Sequence, residues 1–328
     1  MMDRTAALID RMRAGDRIAL AKLMTLVESR DPETADVMSA VHRAGATPSI
    51  VGITGPPGAG KSTLVDALIG AWRAGGQRVG VVAVDPSSPF SGGAVLGDRI
   101  RMQSHFLDEG VFIRSLSARG NVGGLARAAR DVARLLGAFG KDRIIVETVG
   151  VGQNEFDIMR LADTVVVVLV PEAGDTIQAM KAGLLEIADV FVVNKADRDG
   201  AARMKSELEL MLQLRQAGAW EVPVLLTVAT QGQGIAELVD AVDRHRGYLV
   251  ESGEGATRVA ASRRQEFVTA LREELGRRLD GAMHNGAIGS LLADVERGAL
   301  DPYAALTRVL ADRRLFEAML GGSQRGEP

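Results

Sequence analysis

The stretch Ser49 to Ser62 reads SIVGITGPPGAGKS: an apolar, β-branched run, then glycines and prolines, then a lysine and a hydroxyl residue that open a helical pattern. Gly55 to Ser62 fits G-x-x-x-x-G-K-[ST] in the setting that motif requires, after a strand and before a helix. Glycines let the backbone curl until several N–H groups point into one concavity, and the helix N-terminus adds partial positive charge. Such a cradle binds phosphates. Gly55, Pro56, Pro57, Gly58, Ala59, Gly60, Lys61, Ser62 and Thr63 are its candidate lining. Lys61 reaches the β- and γ-phosphates, and the Ser62 hydroxyl is placed to ligate Mg²⁺. A plain glycine-rich turn would show neither the lysine and serine nor the flanking strand and helix.

Outward from this loop the chain alternates. Strands are expected at 49–54, 79–84, 111–114, 143–147, 164–170, 190–193 and 222–227, and helices at 62–74, 122–137, 176–186, 201–215 and 234–246. Alternation of this kind specifies an α/β fold with a mostly parallel central sheet flanked by helices. Residues 1–45 read as a helical extension, broken at Gly15-Asp16 and restarted at Asp31-Pro32, where Asp can cap and Pro suits a first turn. The helix ends at Gly45. Residues 46–250 read as the phosphate-binding domain. Residues 251–328 read as a C-terminal helical region, with a long Arg- and Glu-rich helix over 257–280 and a polar tail from Gly321.

A second motif, NKAD, closes the fifth α/β strand at Asn194 to Asp197. The Asp197 carboxylate can accept both N1–H and the 2-amino N–H of guanine. Adenine offers neither, and would leave the acid unpaired at a cost of a few kcal/mol. Asn194 can hold the loop or reach the base, and the Lys195 stem can cover the ring. Ala229, after the last strand, fits a loop that presents a backbone N–H to the guanine O6. GTP and GDP are therefore the expected ligands.

Two acidic strand ends complete the pattern. In IIVETVGVGQ the strand closes on Glu147, followed by Gly150, where such proteins keep a Mg²⁺-side carboxylate and a loop sensing the γ-phosphate. Val151 stands where a water-orienting Gln would be expected, and the nearest Gln is Gln153. Hydrolysis by the chain alone is expected to be slow. Asp85 ends the second strand and can meet the metal directly or through water. Asp98 lies in a Gly- and Ser-rich loop able to fold over the phosphates; it also suits the N-cap of a helix from Arg99.

The 328 residues include 39 Lys and Arg against 42 Asp and Glu, a net charge of -3. Nucleic-acid binding calls for a basic surplus that is not there. Cysteine is absent, which excludes disulfides and thiolate metal sites. The four histidines do not cluster. No apolar run is long enough to span a bilayer. A cytoplasmic protein without membrane or nucleic-acid partners is expected. Arg127 and Arg130 read as a solvated helix face. Arg263, Arg264, Arg277 and Arg278 alternate with Glu266, Glu273 and Glu274 as on a surface helix.

The stretches GPPGAGKST, VAVDPSSPFSGGAVLGDRIRM, RGNVGGLARA from Arg119, IIVETVGVGQNE and AGDTIQAMKAGLLEIADVFVVNKAD resemble the MeaB/ArgK-type GTPases, which escort adenosylcobalamin-dependent acyl-CoA mutases such as methylmalonyl-CoA mutase. The resemblance covers nearly the whole chain. It implies catalytic or Mg²⁺-side roles for Lys61, Asp85, Asp98 and Glu147, with Ser62. Gly150, Asn194, Lys195, Asp197 and Ala229 remain the nucleotide contacts that the motifs themselves point to. The resemblance also implies a segment, Gly174 to Glu186, that communicates with the mutase, and a homodimer formed by the C-terminal helices. Two departures, Glu172 where family members carry Gly and Asn121-Val122 where they carry His-Leu, lie outside the nucleotide motifs. The alternatives are a metallochaperone-type GTPase, for which the absent cysteines are a poor fit, a phosphotransferase, and a GTP-binding scaffold without a mutase client.

Overall fold

Runs of Val and Ile without polar alternation need apolar cover on both faces, which a parallel sheet between helical layers supplies. The computed structural model describes residues 2–43, 45, 48–85, 102–117, 122–148, 161–171, 185–214, 219–284 and 286–319. Among these, β1 (Ser49–Thr54), β2 (Val79–Asp85), β3 (Val111–Ser117), β4 (Arg143–Thr148), β5 (Thr164–Leu169), β6 (Val190–Asn194) and β7 (Val224–Thr227) form one sheet in the order β3-β2-β4-β1-β5-β6-β7. Every pairing is parallel. The chain runs outward from β1 to β2 and β3, returns to β4 beside β1, and then crosses to β5 on the other side. Open α/β sheets bind ligands at the carboxyl ends of strands where the winding reverses in this way. The phosphate-binding motif leaves β1 at that point.

The helices are α1 (Met2–Arg13), α2 (Arg17–Ser29), α3 (Thr34–Arg43), α4 (Lys61–Ala74), α5 (Val122–Ala138), α6 (Ala201–Leu214), α7 (Ile235–Glu251), α8 (Glu254–Met283), α9 (Gly286–Glu296), α10 (Pro302–Ala311) and α11 (Arg313–Met319). Alternate residues of each strand feed opposite layers. Leu64, Leu68 and Trp72 of α4 and Leu238 and Val242 of α7 bury Ile53, Val81, Ile145 and Val166 on one face. On the other face Leu20, Leu23 and Met24 of α2, Val132 and Leu136 of α5 and Leu208 of α6 join Val82, Val146, Val167 and Phe191. The first three helices thus belong to the layer that closes the sheet. The chain divides into two compact units, Met1–Ala256 and Thr257–Pro328. The second has a small core of its own from Ile288, Leu291, Ala305 and Leu315.

Several expectations need correction. Helix α3 begins at Thr34, not at Asp31-Pro32, because Asp31 first closes a turn: its side chain accepts from Glu33 N at 2.9 Å and its carbonyl from Thr34 N at 2.9 Å. Strand β3 continues to Ser117, since it pairs with β2 residue for residue from Val79–Val111 to Asp85–Ser117. Helix α7 runs on to Glu251, and α8 spans Glu254–Met283. Arg127 and Arg130 are half-buried, not a solvated face, because α5 is wedged between the sheet and the N-terminal helices. Glu274 of α8 pairs with both Arg277 and Arg278, as the charge alternation implied. Of the expected 176–186 helix only Leu185–Ile187 is described, as a single turn. Asp98, Arg119, Asn121, Gly150, Val151, Gln153, Glu172 and the 321–328 tail lie outside the described residues. Among the described residues no helix is long and apolar enough to cross a membrane.

Candidate nucleotide site

The phosphate-binding loop fits its place only with glycine at two positions. Gly55 has φ 145°, and a Cβ there would lie 2.0 Å from the Val168 carbonyl oxygen of β5. Gly60 has φ 84°, and its Cβ would meet Asn194 Nδ2 at 2.5 Å. Between them Pro57 and Gly58 are exposed at the tip, while Ala59 is fully buried. Gly60 precedes α4, whose first turn has no side-chain cap. Its leading N–H groups are the ones such a helix offers to an anion.

Lys61 and Ser62 are both buried, each at 6% exposure, although one carries a charge. Burial is tolerated because the Lys61 ammonium donates to Gly55 O at 2.7 Å and Pro56 O at 3.0 Å, folding the loop around it. Ser62 Oγ donates to Glu147 Oε1 at 2.8 Å. The β1–β4 register sets Glu147 opposite Ile53, and the β2–β4 register sets it opposite Ala83. Asp85 closes β2 at the same carboxyl edge. One residue on from Glu147, Thr148 Oγ1 donates to Thr54 Oγ1 at 3.1 Å, at the very end of β1.

Asn194 joins the base side to the phosphate side. Asn194 is 2% exposed. Its Nδ2 donates to Ala59 O at 2.9 Å, and its Oδ1 accepts from Thr227 Oγ1 at 3.0 Å and from Ala229 N at 3.2 Å. Ala196 N donates to Thr227 O at 3.0 Å, so the NKAD turn and the β7 exit are held together. Lys195 occupies the left-handed region, φ 57°, which turns the chain so that Asp197 stands exposed. Of the two Asn194 roles left open, the structure gives the first: it holds the loops. The Ala229 N–H, expected to face O6, here donates to Asn194.

The structure therefore gathers Lys61, Ser62 and Glu147 at one end of the site and Asn194, Lys195, Asp197 and Ala229 at the other. Thr54 and Thr148 escaped the sequence reading. Their only signal was a hydroxyl closing each of two valine- and isoleucine-rich runs.

Parallel sheet, glycine-framed loop and buried lysine together define a P-loop GTPase. The chain belongs to the family described as "Methylmalonyl Co-A mutase-associated GTPase MeaB", whose profile matches residues 20–284. A GTPase-named protein of Pyrococcus abyssi is 47% identical over 310 residues, covering 93% of this chain and 95% of the relative. GTPase ArgK of Escherichia coli is 38% identical over 275 residues, 81% of this chain and 82% of the relative. A crystal structure described as an LAO/AO transport system kinase is similar with a TM-score of 0.66 at 31% identity, covering 94% of this chain and 96% of the other.

Proposed function

We propose that this GTPase is a chaperone of an adenosylcobalamin-dependent acyl-CoA mutase, methylmalonyl-CoA mutase or a close relative, and assists loading, protection or reactivation of its cofactor. The family description, which names that mutase, supports the client. The observation that carries the nucleotide half is the Asn194 bridge from Ala59 to Thr227 and Ala229. It makes the phosphate loop and the base loop one rigid unit, with Asp197 left exposed to accept from guanine. On this reading Gly55 to Thr63 wrap the phosphates and Lys195 covers the base.

Ser62 and Glu147, with Asp85 and Asp98 nearby in the motif order, would hold Mg²⁺. The Ser62–Glu147 contact brings two buried side-chain oxygens together, the hard donor type this ion takes. Mg²⁺ held by these residues would supply charge neutralisation for the phosphates. Lys61 leaves its loop carbonyls for the phosphates and balances charge developing on the transferred group. Glu147 accepts from Ser62 and fixes that hydroxyl's direction. Val151, in place of a water-orienting Gln, makes the isolated chain a slow hydrolase suited to being timed by its partner.

A cytoplasmic homodimer completes the reading. Phe267, Leu271 and Leu275 follow one another four residues apart on α8, at 68%, 46% and 40% exposure, and no residue of α8 is buried. That stripe supports a second copy as its cover.

The test is GTP turnover by the full chain against rising concentrations of each candidate mutase, with adenosylcobalamin transfer to the apo-mutase followed in parallel. A change in turnover or nucleotide affinity is expected, and linkage requires nucleotide to alter mutase affinity by the same factor as the mutase alters nucleotide affinity. No effect from any mutase of the host would leave an independent GTPase.

A further inference from the structure

One row across the sheet runs Val84, Thr148, Thr54, Val167, Phe191 and Val224. The strand registers pair Val84 with Thr148, Thr54 with Val167, Val167 with Phe191 and Phe191 with Val224. Thr54 and Thr148 come level because Ile53 and Glu147, one residue earlier, are partners. The apolar members of the row all lie in the same buried layer. Valine has the shape of threonine and would fill both remaining places without burying a polar group. Instead two hydroxyls sit there, at 0% and 1% exposure, and Thr148 donates to Thr54 at 3.1 Å. Thr54 is Thr148's hydrogen-bond partner in this apolar layer, and taking away either hydroxyl removes the bond between them.

Their location gives the pair a role. Thr54 is the residue before Gly55, the first of the phosphate loop. Thr148 follows Glu147 and leads the chain towards Gly150. The two strands that feed the two halves of the hydrolytic centre are therefore pinned together at their last residues, by a bond that has direction. The β1–β4 backbone register already sets the two strands level, and the hydroxyl bond adds a side-chain tie just past the last paired residues, beside the Ser62–Glu147 contact.

We propose that Thr54 and Thr148 are positioning residues for GTP hydrolysis, acting through Glu147 and the phosphate loop without touching nucleotide. The proposal rests on the GTPase activity alone and is independent of any mutase client. A misplacement of about 1 Å in the reacting geometry can slow the chemical step about a hundredfold.

The experiment compares single-turnover GTP hydrolysis and GDP affinity in T54V, T148V, the double variant T54V/T148V and T148S, all in the full chain. T148V is expected to slow hydrolysis about tenfold, the effect of one misplaced hydrogen bond, with GDP affinity within about twofold of wild type. The double variant is expected to lose less than the product of the two single losses, since both substitutions remove the same bond. T148S, which keeps the hydroxyl, is expected to hydrolyse within about twofold of wild type. Wild-type hydrolysis by folded T148V would overturn the proposal. So would a T148S as slow as T148V, or a loss of GDP affinity matching the loss of rate. If the valine variants fail to fold, T148S and the T54S counterpart still decide it: both must keep the rate.

Discussion

The two ends of the central sheet use polar side chains in opposite ways. At the amino ends many polar groups are answered within the chain, although Ser49 Oγ, Arg143 Nη1 and His245 Nε2 are buried without a hydrogen-bond partner among the described residues. Arg143 reaches Asp243 at 2.5 Å and Gln77 at 3.0 Å while lying over the Trp72 ring. Asp189 accepts from Val165 N at 2.8 Å, and Asp163 from Ile50 N at 2.8 Å. His245, fully buried, has Nδ1 2.8 Å from Thr164 Oγ1 and Nε2 3.3 Å from Asp189 Oδ1, with its ring 4.8 Å from that of Trp220. At the carboxyl ends Lys61 rests on the carbonyls of its own loop, α4 starts without a side-chain cap and Asp197 faces outward. The amino ends are tied mainly by contacts within the chain, whereas the carboxyl ends, besides internal bonds such as Ser62–Glu147, also present an uncapped helix start and an outward-facing carboxylate. Substitutions should separate accordingly into those that cost stability and those that cost activity.

The sharpest way to break that division is Lys61→Ala. On the proposed reading the ammonium balances charge developing on the transferred phosphoryl group, and its loss is expected to lower turnover by roughly a thousandfold. The thermal midpoint should move little, because the hydrogen bonds the lysine donates to Gly55 O and Pro56 O lie within its own loop. Turnover at the wild-type rate by a folded variant would remove the phosphate-loop reading.

Asp197→Asn comes next. Asparagine's amide cannot accept from both guanine donors, so GTP affinity should fall about a hundredfold, and xanthine nucleotides, whose 2-oxo group accepts, should gain. Calorimetric titration of both nucleotides reads the exchange. Equal affinity of the unaltered protein for ATP and GTP would contradict the base assignment outright.

At the opposite end His245→Ala should do the reverse. It removes a ring packed against both Trp220 and Tyr248 and takes away the Thr164 hydroxyl's imidazole partner. The expected loss is about 3 kcal/mol of stability, summing a cavity and a stranded polar group. GDP affinity measured below the new melting temperature should not move. A variant that melts normally but binds nucleotide poorly would mean the two ends are not separable.

What could be read from the sequence follows the same division. Binding phosphate admits few residue types at fixed spacing, so Gly55, Gly60, Lys61 and Ser62 announced themselves, and Asp197 did so by its strand-end setting. Alternating strands and helices gave the parallel sheet. The strand order did not follow, because nothing in a run such as Val79 to Val84 says that β4 will lie between it and β1. Contacts across the sheet were hidden for that reason. Asn194 meeting Ala59, and Thr148 meeting Thr54, join residues 135 and 94 positions apart. Arg127 and Arg130 misled because a helix packed on two sides half-covers flanks that a helical wheel assigns to solvent.

The smallest expected effect concerns Lys141, at the amino end, and it tests whether that end is closed to the last charge. Lys141 donates to Gly110 O at 2.8 Å and lies over the Phe139 ring. Burial pushes its ammonium down to about 8 from the usual 10.5, and the nearby guanidiniums of Arg17, Arg78 and Arg73 add repulsion. The folded protein therefore releases this proton before the unfolded chain does. Below about pH 8 both states are charged, and the penalty of burying the ammonium is fully present. Between about 8 and 10.5 the unfolded chain holds more protons, so the contribution of Lys141 to stability rises with pH. Lys141→Met removes that rise. Urea midpoints of the two proteins, measured at pH 8 and again near 10.5, should converge or cross in favour of the wild type by on the order of a few tenths of a molar. A difference between them that stays constant over this range would show that the lysine titrates as it does in water, and that solvent reaches this end of the sheet after all.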